Sequence, residues 1–84
     1  MYEAQVHVTL KKSVLDPQGE TVRSALETLG FQGITDCRIG KFMVLRLAET
    51  DAARARTQVE EMCKKLLANP TIEEYVFQLR EVSG

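Results

Sequence analysis

Three observations predict an α+β domain with the element order β-α-β-β-α-β. Both ends of the chain alternate apolar and polar residues with period two, and two stretches between them carry apolar residues at helical spacing. The middle of the chain is extended in character, with Gly40 at its centre.

The first strand is Tyr2 to Leu10. Tyr2, Ala4, Val6, Val8 and Leu10 share one face, and Glu3, Gln5, His7 and Thr9 share the other, so one side is expected to be buried. Asp16-Pro17-Gln18-Gly19 then opens the first helix. Asp16 is suited to accept from the free amides, and Pro17 fits the first helical position because no donor is lost there. Val22, Ala25, Leu26 and Leu29 form a stripe expected to face the sheet, and Gly30 supplies a left-handed stop.

From Ile34 to Ala48 the residues read as two strand-like halves around Gly40-Lys41. A two-residue turn led by glycine predicts a hairpin that pairs Ile39 with Phe42 and Cys37 with Val44. The alternative is a single long strand that runs through Gly40 and is exchanged into a partner. Both faces of this segment are apolar, so the sheet face that helices do not cover is expected to lie in an oligomer interface.

Thr50 is placed to cap a second helix from Asp51 to Ala68, with Ala55, Val59, Met62, Cys63, Leu66 and Leu67 as its core stripe. Glu60 with Lys64 and Glu61 with Lys65 are spaced as ion pairs on its solvated side. Asn69-Pro70 ends it, and Glu74 to Val82 alternates as the last strand. The result is a ferredoxin-like arrangement, an antiparallel sheet with two helices on one face, in one domain over residues 1–84.

A chain of 84 residues buries a small core, which favours an oligomer or a stable partner. The net charge of −1 lacks the cationic field that nucleic acid or anionic lipid rewards, so neither is an expected partner. No apolar run approaches the ~20 residues of a membrane span, and the N-terminus alternates where a signal peptide would be continuously apolar, which reads as cytoplasmic. Cys37 and Cys63 form no CxxC and read as free thiols, with no metal site.

Chemistry of a catalytic kind finds no constellation. His7 has no carboxylate or cysteine at a close fixed spacing, and the first strand-to-helix loop carries Lys11 and Lys12 but no arginine to cradle a phosphoryl group. The third strand lacks the paired aromatics of an RNA-binding sheet, and the glycines match no phosphate-binding pattern. No nucleophile, base and oxyanion donor assemble, so no catalytic, cofactor or metal residue is assigned.

Four stretches together resemble one family: VTLKKSVLDPQG at 8–19, LGF at 29–31, DCRIGK at 36–41 and EMCKKLLANPTIEEY at 61–75. They are similar to PurS, the small subunit of bacterial and archaeal phosphoribosylformylglycinamidine synthase, over roughly residues 3–80. Cys37 departs from a usual valine, and FQLREVSG is less acidic than the end of many relatives. The resemblance implies a subunit with no catalytic residue of its own. In that family the synthetase subunit PurL uses ATP, Mg and formylglycinamide ribonucleotide, and the glutaminase subunit PurQ releases ammonia from glutamine. PurS dimers join the two. This implies a homodimer or tetramer that binds PurL and PurQ and holds no cofactor itself. Candidate partner contacts on the family motifs are Arg38, Lys41, Asn69, Glu73 and Tyr75. The alternative function is an ACT-like module that senses a small ligand, because it shares the strand order.

Overall fold

The computed structural model describes residues 1–83. Strand β1 (Tyr2–Leu10) is the centre of a three-stranded sheet, flanked by β2 (Gly40–Leu47) and β3 (Glu73–Glu81), both antiparallel to it. Helix α1 (Pro17–Thr28) joins β1 to β2. Helix α2 (Ala52–Met62) and a π-helical turn (Cys63–Leu67) join β2 to β3.

Alternation in β1 is realised directly. Ala4, Val6 and Val8 are fully buried, while His7 on the opposite face is exposed. Register places Val6 between Met43 and Phe77, and Ala4 between Leu45 and Leu79, so one sheet face is apolar across all three strands. Helix α2 lies over this face along one narrow line, Ala55, Val59 and Cys63, each wholly buried. A single helix covers the central strand and leaves Met43, Leu45, Phe77 and Leu79 only half-buried.

The α+β architecture, with its antiparallel sheet and two helices, is the expected one, and several details differ. No hairpin forms at Gly40-Lys41, so the fourth strand of the expected order is absent from the described residues. Residues 32–39 belong to no helix and have no ladder partners, with Gly33 at φ +85°, and β2 starts at Gly40 itself. The glycine serves contact: a Cβ at Gly40 would lie 2.2 Å from the Val8 carbonyl oxygen, where β1 and β2 approach.

Helix α1 does not lay its stripe on its own sheet. Its one buried residue is Gly19, and Val22 and Leu29 stand exposed together with Phe31 beyond the helix. The helix is well formed all the same. Thr21 and Thr28 hydroxyls donate to carbonyls one turn back, and Arg23 pairs with both Glu20 and Glu27. Gly30, at φ +99°, closes it, with the Gly30 and Phe31 amides donating to Glu27 and Leu26.

At α2 the cap is Asp51 and not Thr50: the Asp51 carboxylate accepts from the Ala53 amide at 2.9 Å. The helix widens into the π turn at Cys63, which turns Leu66 outward to 82% exposure and leaves Met62 exposed too, outside the expected core stripe. Glu61 and Lys65 form their pair at 2.9 Å, whereas Glu60 turns to the sheet.

The chain is elongated as a result. Its radius of gyration is 16.4 Å over extents of 49 × 29 × 15 Å, against ~12 Å for a compact domain of this length. Its accessible surface of 6063 Å² exceeds by roughly 1,000 Å² what a compact monomer of this mass shows. Replacing Gly40 with alanine should force β1 and β2 apart and destabilise by on the order of 2 kcal/mol, read from the urea midpoint; an unchanged midpoint would show that the approach at Val8 is not tight. Cys63, whose burial pushes its thiol upward, should react with a thiol reagent only on unfolding, while half-buried Cys37 reacts first.

Candidate functional site

Two clusters collect the motif residues, and they lie at different places in the fold. The first is the junction where the chain enters α1. Asp16 is buried and uses both carboxylate oxygens: Oδ1 accepts from the Gly19 amide at 3.0 Å and Oδ2 from the Ile39 amide at 2.9 Å. One side chain therefore caps the helix and holds the strand entry 23 residues later. Gly19 is required because a Cβ there would lie 2.1 Å from the Cys37 carbonyl oxygen. Arg38 spans the same junction, its guanidinium donating to the Val14 and Lys12 carbonyls at 2.8 Å each, with Asp36 at 3.8 Å.

Amide donors from Gly19 and Ile39, with Arg38 nearby, hold the Asp16 carboxyl below the usual carboxylate range despite its burial. Beside these residues is a cleft of about 320 Å³ lined by Lys12, Ser13, Leu15 and Cys37, among others. Of its charged lining residues, Asp16 and Arg38 are committed to backbone groups.

The second cluster sits at the end of the sheet where β3 begins. Glu73 accepts from the Asn69 amide at 2.7 Å and faces the Lys41 ammonium at 3.6 Å. The Glu73 amide in turn donates to the Asn69 carbonyl. Tyr75, two residues on, donates its hydroxyl to Glu60 of α2 at 2.8 Å, which ties β3 to the helix. That bond and partial burial push the Tyr75 hydroxyl up to about 12. Lys41 and Tyr75 both pair with Val8, so the sheet register carries this arrangement.

Of the five candidate contacts, Lys41, Asn69, Glu73 and Tyr75 thus come together, and Arg38 belongs to the other cluster. Lys41, with 58% of its side chain exposed, and Asn69 face solvent, while Arg38, Glu73 and Tyr75 are half-buried. The sequence did not reveal Glu60 as the partner of Tyr75, or the second bond of Asp16, since both partners are fixed only by packing. Nor did it single out Glu3, which is buried on the otherwise open sheet face between Arg80 at 2.9 Å and Arg46 at 3.6 Å. The charge pattern across three strands would have shown it once the register was known.

Chemically these side chains build links. In the two clusters carboxylates and guanidinium groups are occupied by backbone atoms or by one another, and His7 lies against the Phe42 ring at 4.7 Å, lining a shallow surface cleft with Glu74. No group of three or more His, Cys, Asp or Glu placed to hold a metal occurs among the described residues. Among the described residues no helix is long and apolar enough to cross a membrane.

Such a chain defines a class: a small α+β subunit that presents surfaces, its polar side chains consumed in holding an open shape. Comparison with known proteins names the class. The family described as PurS, phosphoribosylformylglycinamidine (FGAM) synthase, matches residues 3–81. The PurS subunit of Bacillus subtilis is 46% identical over 98% of this chain and 96% of that one. The crystal structure of PurS from Methanocaldococcus jannaschii, a subunit of formylglycinamide ribonucleotide amidotransferase, superposes with TM-score 0.86 at 40% identity, over 99% of this chain and 100% of that one. A chain of the PurLQS structure from Thermotoga maritima gives TM-score 0.86 at 28% identity, over 94% of this chain and 96% of that one. The chain belongs to the PurS family, and these similarities do not favour the ACT-like alternative.

The shift of Asp16 fixes the sign of its pH dependence. A lowered carboxyl stabilises fully above its ordinary value near pH 4, and the contribution is lost as pH falls through the lowered value. Asp16→Asn keeps one acceptor but meets the Ile39 amide with a donor. It should melt roughly 5 °C or more below the parent at pH 7 and lose part of the acid dependence, the rest coming from Glu20 and Glu61, which Arg23 and Lys65 also lower. Equal melting curves would mean that Asp16 clamps nothing. In alkali, Tyr75 should keep its proton beyond pH 10, so absorbance titration should show a tyrosine ionising near 12 that Tyr75→Phe removes.

Proposed function

We propose that this chain is the subunit that bridges the synthetase (PurL) and glutaminase (PurQ) of phosphoribosylformylglycinamidine synthase, so that ammonia from glutamine reaches formylglycinamide ribonucleotide in the ATP-dependent step. The observation that carries the reading is the likeness, over 94% of the chain, to a component of the PurLQS structure. Ammonia released into bulk water would be protonated or lost, so two active sites must be docked with water excluded between them. A docking subunit needs shaped surfaces, and this chain is rich in them. ATP and Mg belong to the synthetase in this reading, with no cofactor on the chain itself, and the setting is the cytoplasm.

The chain works as a dimer or tetramer. Support comes from the unused parts of the fold: α1 with its stripe exposed, residues 32–39 without ladder partners, and a sheet face only half covered by α2. An exchange in which α1 and residues 34–39 of each copy pass to the other would give each apolar stripe a sheet to cover. It would also remove much of the excess surface. Lys41, with Asn69, Glu73 and Tyr75 behind it and Arg38 at the junction, is the proposed contact region for the larger subunits.

Omitting the chain from a mixture with PurL and PurQ should damage glutamine-dependent synthesis far more than synthesis from high external ammonia. Equal loss of both rates would mean that it shapes the synthetase site, and full glutamine-dependent activity without it would refute bridging. Light scattering should give at least twice 9.5 kDa at micromolar concentration; a folded monomer would remove the exchange. Lys41→Glu should melt within a few degrees of the parent yet reduce copurification of PurL and PurQ, and unchanged copurification would take Lys41 out of the contact.

A further inference from the structure

The outer edge of β3 has no neighbour in the sheet, whose order is β2-β1-β3. Its backbone phase follows from the two ends of the ladder it forms with β1. There the Lys11 amide donates to the Ile72 carbonyl at 2.8 Å, and the Val82 amide to the Met1 carbonyl at 2.9 Å. Antiparallel bonding alternates residue by residue. Val76, Gln78 and Arg80 therefore turn their amides and carbonyls to β1, and Tyr75, Phe77 and Leu79 turn theirs outward. The Glu73 amide, in the outward phase, donates to the Asn69 carbonyl instead of to β1.

Exposed edges are ordinarily guarded by lysine, proline or a bulge. β2 carries Lys41 and Arg46, whereas the centre of β3 reads Tyr75-Val76-Phe77-Gln78-Leu79, uncharged and without proline. It pairs with β1 at every residue from Glu73 to Glu81, so no bulge bends it away. The residues whose backbone faces outward also place their side chains on the α2 face, half-buried. Above them the Arg56 guanidinium of α2 lies 5.7 Å from the centre of the Phe77 ring. Arg56 is exposed and has no carboxylate partner among the described residues. A cleft of about 450 Å³ follows this edge, lined by Arg56, Phe77, Gln78, Leu79 and Arg80 with Gln5.

We propose that this edge receives an extended, acidic segment of a larger subunit, added to the sheet as a further strand beside β3. The proposal rests on the bridging reading above, and it names the surface and the chemistry of the contact. Main-chain bonds to the three outward residues supply affinity, and side chains at alternate positions supply selection. A carboxylate on the added strand opposite Phe77 would point to the α2 face and meet Arg56. Residues two positions to either side would share that face, beside Tyr75 and Leu79, and are expected to be apolar. A second copy fits less well. Two β3 edges paired about a two-fold axis near Phe77 would bring Arg56 against Arg56, whereas an acidic strand sets opposite charges together.

The test is amide-resolved hydrogen exchange on the chain alone and in complex with PurL and PurQ, read after quench and release of the chain. In the complex the amides of Tyr75, Phe77 and Leu79 should slow by roughly tenfold or more. Those of Val76, Gln78 and Arg80, bonded to β1 in both states, should be slow in both. Arg56→Glu should melt within a few degrees of the parent and bind the larger subunits roughly tenfold more weakly, while Arg56→Lys, which keeps the charge, should bind nearly as the parent does. Outward amides that stay fast in a complex that forms overturn the proposal, as does undiminished binding by a folded Arg56→Glu chain; if that variant fails to fold, the exchange result decides. Slowing of the same amides in the chain alone, growing with concentration, gives the edge to a second copy and overturns the proposal too. Absence of any complex with PurL and PurQ is the separate failure of the bridging reading, and the proposal falls with it.

Discussion

The two oxygens of Asp16 settle the geometry of the molecule. One accepts from Gly19 and starts α1, and the other accepts from Ile39 and delivers the chain to β2 at Gly40. Since the two amides lie 20 positions apart, on either side of most of α1 and the segment after it, a single carboxylate sets how α1 leaves the sheet and where the second strand begins. Arg38 braces the same point from the other side, on the Val14 and Lys12 carbonyls. With these bonds in place, the apolar stripe of α1 stands clear of the one sheet among the described residues.

Much of this was legible in the residues, for reasons that differ from element to element. β1 could be read in full because it is the central strand, with one face against α2, and alternation reports that situation without ambiguity. Asp16-Pro17 and Gly30 marked α1 to within a residue, since capping is local chemistry. The apolar stripe of α1 was also real; what periodicity could not say is which sheet it faces, because a stripe records burial without naming the partner. The same limit explains the hairpin that does not form. Gly40 was read as a turn residue when its small size serves the close approach to Val8, and both demands leave the same letter in the sequence.

The candidate site was half visible. Motif residues at the start of β3 were found because they cluster in sequence, from Asn69 to Tyr75, and Lys41 joins them through the register with β1. Their internal roles were hidden. Glu60 was assigned to the solvated side of α2 by its spacing to Lys64, but α2 stands on the sheet at an angle that lets it reach the Tyr75 hydroxyl. The π turn had no local signature either, and it moved Leu66 from the expected core to the surface. Each of these is a tertiary fact that competes with a local rule and overrides it.

The exposed stripe of α1 has a consequence for the life of the protein as well as for its architecture. A chain that shows Val22, Leu29 and Phe31 to water is complete only when another surface lies against them. Under the exchange proposed above, its folding equilibrium would be a function of how many copies are present, and dilution would act on it as a denaturant does. In a cell, an orphan copy displays the apolar surface that chaperones and proteases recognise, while an assembled copy hides it. On the proposed assembly, the amount of this subunit that survives would follow the supply of the surfaces it joins.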